Sequence, residues 1–132
     1  MQPINNSVWF AKMKGSAKIL LLTENDNDIV NNNILSTGFL GIKASSKLPL
    51  SLLFSIIISD NFKIQRDLNS VGTTMAGINN ETFVKILVPK LSEEETKHYD
   101  QKYKYFVMKL SYLRRQIKLL NDVKQNLLSK YF

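Results

Sequence analysis

The chain has 132 residues and a hydrophobic content of 44%, which is enough for one compact domain with an appendage. It has no cysteine, which excludes disulfide scaffolds, thiolate zinc sites and cysteine nucleophiles and fits a reducing, cytoplasmic compartment. The formal net charge is +7, and all of this excess lies from Thr96 onward, where nine basic residues accompany two acidic ones. The longest apolar run, residues 48–58, is too short to span a bilayer about 30 Å thick, so no membrane contact is expected.

The N-terminal part of the chain predicts a β-hairpin. Residues 8–13 (VWFAKM) and 18–23 (KILLLT) have the aromatic and aliphatic density of strands. A Lys-Gly-Ser turn centred on Gly15 separates them. The Asn- and Asp-rich residues 24–33 follow, and their composition predicts a polar surface loop.

A third strand and two helices come next. Residues 34–43 (ILSTGFLGIK) resume strand character, and Gly38 and Gly41 within them indicate a bulge or a close backbone approach. Residues 48–59 begin with an early proline and then run apolar, which favours a core helix. Asp60 is the predicted cap of a second helix, NFKIQRDL.

The stretch SVGTTMAGINNETFVKILVPKL concentrates glycines, hydroxyls and amides in one loop. Gly72 and Gly77 supply backbone freedom, and Asn79 or Asn80 is a suitable N-cap for a single helical turn. Residues 86–88 predict the last strand of the domain, closed by a proline. The loop is therefore a turn, a recognition loop or a catalytic loop.

The C-terminal part predicts one long helix. Ser92 and Glu95 form an S-x-x-E capping box at its start. Its apolar residues recur on alternating three- and four-residue steps, which is a heptad pattern nearer to 3.5 than to 3.6 residues per turn. They are Tyr99, Tyr103, Phe106, Leu110, Leu113, Ile117, Leu120, Leu127 and Tyr131, interrupted only at Lys124.

Two arrangements fit this heptad helix. It packs either on its own domain or against another helix as a coiled coil, and the spacing favours the coiled coil. Lys102, Lys109 and Arg114 flank the apolar positions, so a parallel homodimer would bring like charges together. An antiparallel pair or a different partner helix avoids much of that repulsion.

The sequence carries no recognisable catalytic constellation. The only histidine, His98, is in the basic helix and is expected to be solvated, and no base stands beside a nucleophile. Neither a phosphate-binding loop nor a dinucleotide fingerprint occurs. Glu95-Thr96-Lys97 resembles the carboxylate-x-lysine end of many nucleases but lacks a strand-borne acidic partner. We expect no cofactor, no metal and no enzymatic activity, with a small nuclease as a disfavoured alternative.

The ordered set VWFAKMK, ILSTGFLGIK and SVGTTMAGINNETFVKILVPKLSEEE, followed by a long heptad helix, resembles the specificity subunit of type I restriction-modification systems. The resemblance runs from about Val8 to the end and covers the later part of one target-recognition domain with its spacer helix. Met75 stands where family members often have Gln. The upstream strands of the family's domain have no counterpart here, so the sheet is either completed by another chain or truncated.

The resemblance implies an α+β fold, in which a small mixed β-sheet recognition domain with packed helices is followed by a long C-terminal coiled-coil helix. The domain would comprise residues 1–91 and the spacer or dimerisation arm residues 92–132. The implied partners are double-stranded DNA, the modification (methyltransferase) and restriction subunits, and a second copy or another specificity-subunit half paired through antiparallel helices. Catalysis would belong to the partner subunits.

The candidate DNA-binding residues are basic or polar side chains on or beside turns. Arg66 either pairs with guanine or neutralises Asp60 or Asp67, and Asn79 either contacts DNA or caps a helix. We expect Trp9 to lie in the core rather than to stack on a base. The predicted DNA-binding residues are Lys12, Lys14, Lys18, Lys43, Lys47, Arg66, Thr73, Thr74 and Asn79. The predicted partner interface is Tyr103, Phe106, Leu110, Leu113, Ile117, Leu120 and Leu127.

Two functions from different classes therefore remain open. The first is a sequence-specific DNA-recognition module that directs partner methyltransferase and endonuclease subunits to a target. The second is an orphan or truncated interaction protein that assembles through its heptad helix without specific DNA binding.

Overall fold

The computed structural model describes residues 1–131, and in this range the chain forms a small antiparallel sheet, several short helices and one long C-terminal helix. This α+β architecture confirms the predicted fold class at that level. In chain order the elements are β1 (Ser7–Ala11), β2 (Ile19–Leu22), α1 (Asn27–Asn32), β3 (Phe39–Lys43), α2 (Leu50–Ile58), α3 (Asp60–Leu68), α4 (Asn80–Phe83) and α5 (Glu93–Tyr131).

The sheet has three strands in the order β2-β1-β3, and both pairings are antiparallel. The sheet is thus antiparallel throughout rather than mixed. β1 pairs with β2 as the predicted hairpin, with Trp9 opposite Leu20. On the other side of β1, Ala11 is opposite Phe39 and Ser7 is opposite Lys43. Two antiparallel neighbours place the first hairpin and the third strand in one layer.

The alternation of side chains along β1 gives the sheet two apolar faces. Val8 and Phe10 lie in a core cluster with Leu53 of α2 and Phe62 of α3. The rings of Phe10 and Phe62 meet edge to face with centroids 4.9 Å apart. The ring of Trp9 points to the opposite face, so helices and loops cover both sides of the sheet.

A close approach at Gly41 confirms one of the two readings of the strand glycines. A Cβ added at Gly41 would lie 2.5 Å from Cε2 of Trp9, because the indole rests on the backbone of its β3 partner. Trp9 is buried and its Nε1 donates a hydrogen bond to Ser7 Oγ at 2.8 Å. The core position expected for Trp9 is confirmed, because its ring is buried against Gly41.

Three local predictions are wrong. Residues 24–33 are not only a loop, because they include α1, which buries Val30 against Trp9. Ser59, rather than Asp60, is the N-cap of α3, since its hydroxyl accepts the hydrogen bond of the Phe62 backbone N–H. Residues 86–88 form no strand.

The segment at residues 86–88 is held by a side chain instead of a sheet. The backbone N–H of Leu87 donates to Gln65 Oε1 at 2.7 Å, and Gln65 Nε2 donates to the Leu87 carbonyl at 2.7 Å. A single glutamine on α3 therefore satisfies the backbone groups that a neighbouring strand would otherwise pair.

The long helix α5 begins as the sequence predicts. Ser92 Oγ accepts the N–H of Glu95, and the Glu95 carboxylate accepts the N–H of Ser92, which completes the capping box. The helix has 39 residues and is therefore about 58 Å long. Its first half packs on α2, where the Tyr99 hydroxyl donates to Ser55 Oγ at 2.6 Å. The helix thus starts near the predicted domain boundary, but its first half is packed against the domain.

Candidate nucleic-acid interface

The β1–β2 turn carries three of the predicted DNA-binding lysines. Gly15 adopts a positive φ of 79° at its centre, which is a conformation that glycine takes without a steric penalty. The Gly15 N–H donates to Asp67 Oδ1 at 3.0 Å, so α3 holds the turn in place. Lys14 and Lys18 are exposed and Lys12 is half-buried.

The loop after α3 carries the two predicted threonines. Val71 and Gly77 exchange backbone hydrogen bonds of 2.9 and 3.1 Å, which close the loop at its base. Gly72 has a φ of 114°, a backbone conformation that residues with a side chain rarely adopt. Thr73 and Thr74 are exposed, and among residues 70–79 the side-chain hydrogen bonds belong to Ser70 and Asn79. The threonine hydroxyls are therefore free to meet a ligand.

The structure brings this loop against the β1–β2 turn. The N–H of Lys14 donates to the Ala76 carbonyl at 2.9 Å, and the N–H of Ile78 donates to the Lys12 carbonyl at 2.9 Å. A side chain at Gly77 would meet the same Lys12 carbonyl at 3.0 Å, so the two segments are in close backbone contact. We call the resulting surface the basic edge. It consists of Lys12, Lys14, Lys18, Thr73 and Thr74.

Arg66 supports the basic edge from inside and does not reach its surface. The residue is 3% exposed. Its Nε lies 3.1 Å from Asp67 Oδ1, and its Nη1 donates to the Ala11 carbonyl at 3.4 Å. Two roles were expected for Arg66, and the structure shows the ion pair with Asp67. The buried guanidinium is not available to a guanine.

The negative charge of Asp67 is stabilised by the Gly15 N–H and by Arg66. Burial alone raises the pKa of this carboxyl, but the hydrogen bond from the Gly15 N–H and the charge of Arg66 outweigh it. The pKa of Asp67 therefore lies below 3.8, and the turn stays anchored to an ionised carboxylate at neutral pH.

Asn79 has the capping role. Its Oδ1 accepts the N–H of Thr82 at 2.9 Å, and the Thr82 hydroxyl accepts the N–H of Asn79 at 2.9 Å. This reciprocal pair is a capping box that starts α4. The predicted helix cap is confirmed, and the acceptor oxygen of Asn79 is occupied by the backbone.

Lys43 and Lys47 lie apart from the basic edge. Because β1 and β3 are antiparallel, Lys43 is at the end of the sheet opposite to the β1–β2 turn, about 13 Å away along the strand. Lys47 lines an open groove of about 1080 Å³ between residues 45–49 and the start of α5. This groove also has Glu93, Glu94 and Asp100 on its walls. The structure thus divides the predicted lysines into two separate groups.

The later heptad positions of α5 face away from the domain, whereas Tyr99 donates a hydrogen bond to Ser55 of α2. From Phe106 onward the predicted interface residues are between 44% and 69% exposed, whereas Val107 and Ser111 are buried against the domain. Tyr103 is half-buried, with its ring centroid 4.6 Å from that of Tyr99. We call the outward positions the seam. They are Phe106, Leu110, Leu113, Ile117, Leu120 and Leu127.

Sequence reasoning missed the contact between α5 and the loop after β2. Asp26 is 0% exposed and faces Ser111, Arg114 and Arg115 of α5. Arg114, which the heptad pattern places beside the seam, is directed toward Asp26. The only sequence signal was the Thr-x-x-Asp spacing of Thr23 and Asp26, which allows an aspartate to accept hydrogen bonds from a backbone turn.

Comparison with family models, curated proteins and solved structures found no match to the sequence. Among residues 1–131 no three His, Cys, Asp or Glu side chains are grouped as a metal site would need. Within the same range, none of the helices has the length and apolar content required to cross a membrane.

Proposed function

We propose that the chain is the sequence-specific DNA-binding module of a type I restriction-modification specificity subunit. It would direct partner methyltransferase and endonuclease subunits to a target sequence and perform no catalysis itself. The observation that carries the proposal is the basic edge, where backbone hydrogen bonds hold the lysine turn beside the threonine loop.

The basic edge has the two kinds of group that sequence recognition uses. The exposed ammonium groups of Lys14 and Lys18 suit phosphate contacts, which give position and salt-dependent affinity. The hydroxyls of Thr73 and Thr74 suit contacts to base edges, because a hydroxyl both donates and accepts hydrogen bonds. Backbone hydrogen bonds anchor the two segments to each other and to α3, so their backbones are held in a fixed arrangement.

The long helix α5 supports the spacer role in the proposal. A helix about 58 Å long with an outward apolar seam suits a spacer that pairs with another such helix. Antiparallel pairing would place two recognition domains at opposite ends and set the distance between the two halves of a bipartite DNA target. The modification and restriction subunits would assemble on this paired arm.

A selection experiment tests the proposal. The protein, alone and with its modification subunits, is incubated with a randomised duplex pool at near-physiological salt, and the retained DNA is sequenced. We expect a short enriched motif, or two copies in opposite orientation at a fixed spacing. No enrichment in either condition would contradict DNA recognition.

A pair of matched variants locates the surface. Lys14→Gln/Lys18→Gln removes two charges from the basic edge, and Lys43→Gln/Lys47→Gln removes two from the far end of the sheet. For the first we expect the slope of log affinity against log salt to fall in magnitude by about 2. The second should leave the slope unchanged, and an equal effect of both variants would exclude the basic edge as the DNA surface.

The second candidate function is an interaction protein that assembles through α5 without reading DNA. The exposed seam favours it, since apolar residues on successive turns of a helix favour a protein partner. The selection experiment separates the two functions, because this candidate predicts self-association with no enriched motif.

A further inference from the structure

The carboxylate of Asp26 joins the globular part of the chain to α5. We infer that Asp26, held by Thr23 and paired with Arg114 and Arg115, sets the direction and the rotational phase with which α5 leaves the domain. This inference deepens the proposed function, because a spacer helix can fix a distance only if its direction is fixed.

The domain side of the contact is rigid. The backbone N–H of Thr23 donates to Asp26 Oδ2 at 2.7 Å, and the Thr23 hydroxyl donates to the same oxygen at 2.9 Å. Both residues are fully buried, and Thr23 directly follows β2. The carboxylate is therefore fixed relative to the sheet before α5 contributes anything.

The helix side supplies a hydroxyl and two guanidinium groups. Ser111 Oγ lies 2.9 Å from both carboxylate oxygens, and Arg114 Nη2 and Arg115 Nη1 lie 2.9 and 3.4 Å from Oδ1. Arg114 Nη1 also donates to the Leu21 carbonyl at 2.7 Å, which covers part of the free edge of β2. We call Asp26, Thr23, Ser111, Arg114 and Arg115 the clamp.

The clamp is near the end of the docked part of α5. Contacts to α2 hold the helix earlier, with Ser51 Oγ donating to Asp100 Oδ1 at 2.7 Å. Beyond the clamp, the only polar contact between the helix and the domain within residues 1–131 is the exposed pair of Lys118 and Asp28, 3.9 Å apart. Such an exposed pair holds an orientation weakly. The direction of the projecting arm, residues 119–131, therefore depends on the clamp.

The clamp also determines where the seam points. Successive residues of an α-helix are about 100° apart around its axis. Ser111 and Arg115 are thus about 40° apart and face the domain, while Leu113 is about 200° from Ser111 and faces away. A helix that rotated at this point would turn its seam toward the domain or the side, where a partner helix would meet the globular part.

Distance measurements between two spin labels test the inference. Because the chain has no cysteine, Thr37→Cys on the domain and Gln125→Cys on the arm give two unique labelling sites, both exposed. Labelled protein is diluted with excess unlabelled protein and measured without DNA, so only intramolecular distances contribute. We expect a narrow distance distribution for the parent protein and a broadened, shifted one for Asp26→Asn and for Arg114→Met. Gln125 is about 15 Å beyond Arg115, so a tilt of about 20° would move its label by about 5 Å.

Asp28→Asn is the matched control, because within residues 1–131 this carboxylate forms its one ion pair with exposed Lys118 and lies outside the clamp. It should leave the distribution unchanged. Trp9 fluorescence confirms that each variant retains its domain core, and Arg114→Met keeps the test valid if Asp26→Asn unfolds the domain. Unchanged distances in the folded clamp variants would overturn the inference and leave the proposed DNA recognition untouched, since no DNA is present.

Discussion

Asp26 is a buried carboxylate that stays ionised because its neighbours are arranged around the charged form. Burial raises the pKa of this carboxyl, but hydrogen bonds from Thr23, Arg114 and Ser111 outweigh the burial. The pKa of Asp26 is therefore below 3.8 in the folded protein. A second guanidinium also faces it, since Arg115 Nη1 lies 3.4 Å from Asp26 Oδ1.

This lowered pKa predicts a dependence of stability on pH. A carboxyl with a folded-state pKa below its unfolded value stabilises the fold above about pH 3.8, and this stabilisation is lost as the pH falls through the folded-state pKa. The titration of one group changes the free energy of unfolding by at most about 1.4 kcal/mol per pH unit. We expect the free energy of unfolding of the parent protein to fall more steeply below pH 4 than that of Asp26→Asn.

Urea denaturation at a series of pH values measures both curves. Asp67 titrates in the same direction, so Asp67→Asn separates its share from that of Asp26. Parallel curves for the parent protein and Asp26→Asn would show that ionisation of Asp26 does not stabilise the fold.

At the residue scale, side chains with strong local preferences were predictable, whereas the burial of charged side chains was not. The sequence favoured Trp9 as a core residue and Asn79 as a cap, because indole burial and asparagine capping are local preferences. Arg66 and Asp26 looked like surface charges. Their burial depends on partners 40 or more positions away, Ala11 and Ser111, which no local pattern shows.

At the scale of elements, α5 has two faces with different chemistry. The face on the domain carries the small residues Thr96 and Ser111 and the core residue Val107, and Ser111 hydrogen-bonds to Asp26. The opposite face is the seam. From Phe106 onward the heptad positions thus form an exposed apolar face, and its pairing with another helix stays a prediction.

The exposed seam leads to a prediction about self-association. Leu113→Glu/Ile117→Glu places two charges in the middle of the seam, where pairing would bury them without partners. We expect the parent protein to sediment as a dimer at micromolar concentration and this variant to sediment as a monomer with unchanged domain fluorescence.

A matched variant controls for the added charge. Gln125→Glu/Ser129→Glu adds the same two charges on the opposite side of the helix, about 150° from the seam on average. It should remain dimeric. A parent protein that is monomeric at all concentrations would show that the seam does not pair with itself.

At the scale of the whole molecule, most of the elements were predictable and the contacts between them were not. The hairpin, the core helix and the capped long helix follow from periodicity and turn residues. The last predicted strand failed because the apolar residues 86–88 resemble a strand locally, while Gln65 satisfies the backbone of Leu87. The basic edge also required the fold, since its two segments are about 60 positions apart and meet through the backbone of Lys12 and Lys14.

The distribution of charge along α5 predicts the orientation in which two molecules pair. Its first turn carries Glu93, Glu94 and Glu95, and Lys124 and Lys130 lie toward its end. Parallel pairing would bring each set against its own copy, whereas antiparallel pairing would bring the glutamates near the lysines. We therefore expect the dimer to be antiparallel, with the domains at opposite ends of the paired helices.

A single spin label on each molecule measures this orientation. If pairing is centred near the helix midpoint at Tyr112, labels at Asn126→Cys would be about 42 Å apart in an antiparallel dimer and within about 15 Å in a parallel one. A label at Tyr112→Cys is close to its copy in either orientation, so it reports whether pairing occurs at all. A short distance at both positions would mean parallel helices, and the two domains would then lie side by side and could not read sites separated by the length of the arm.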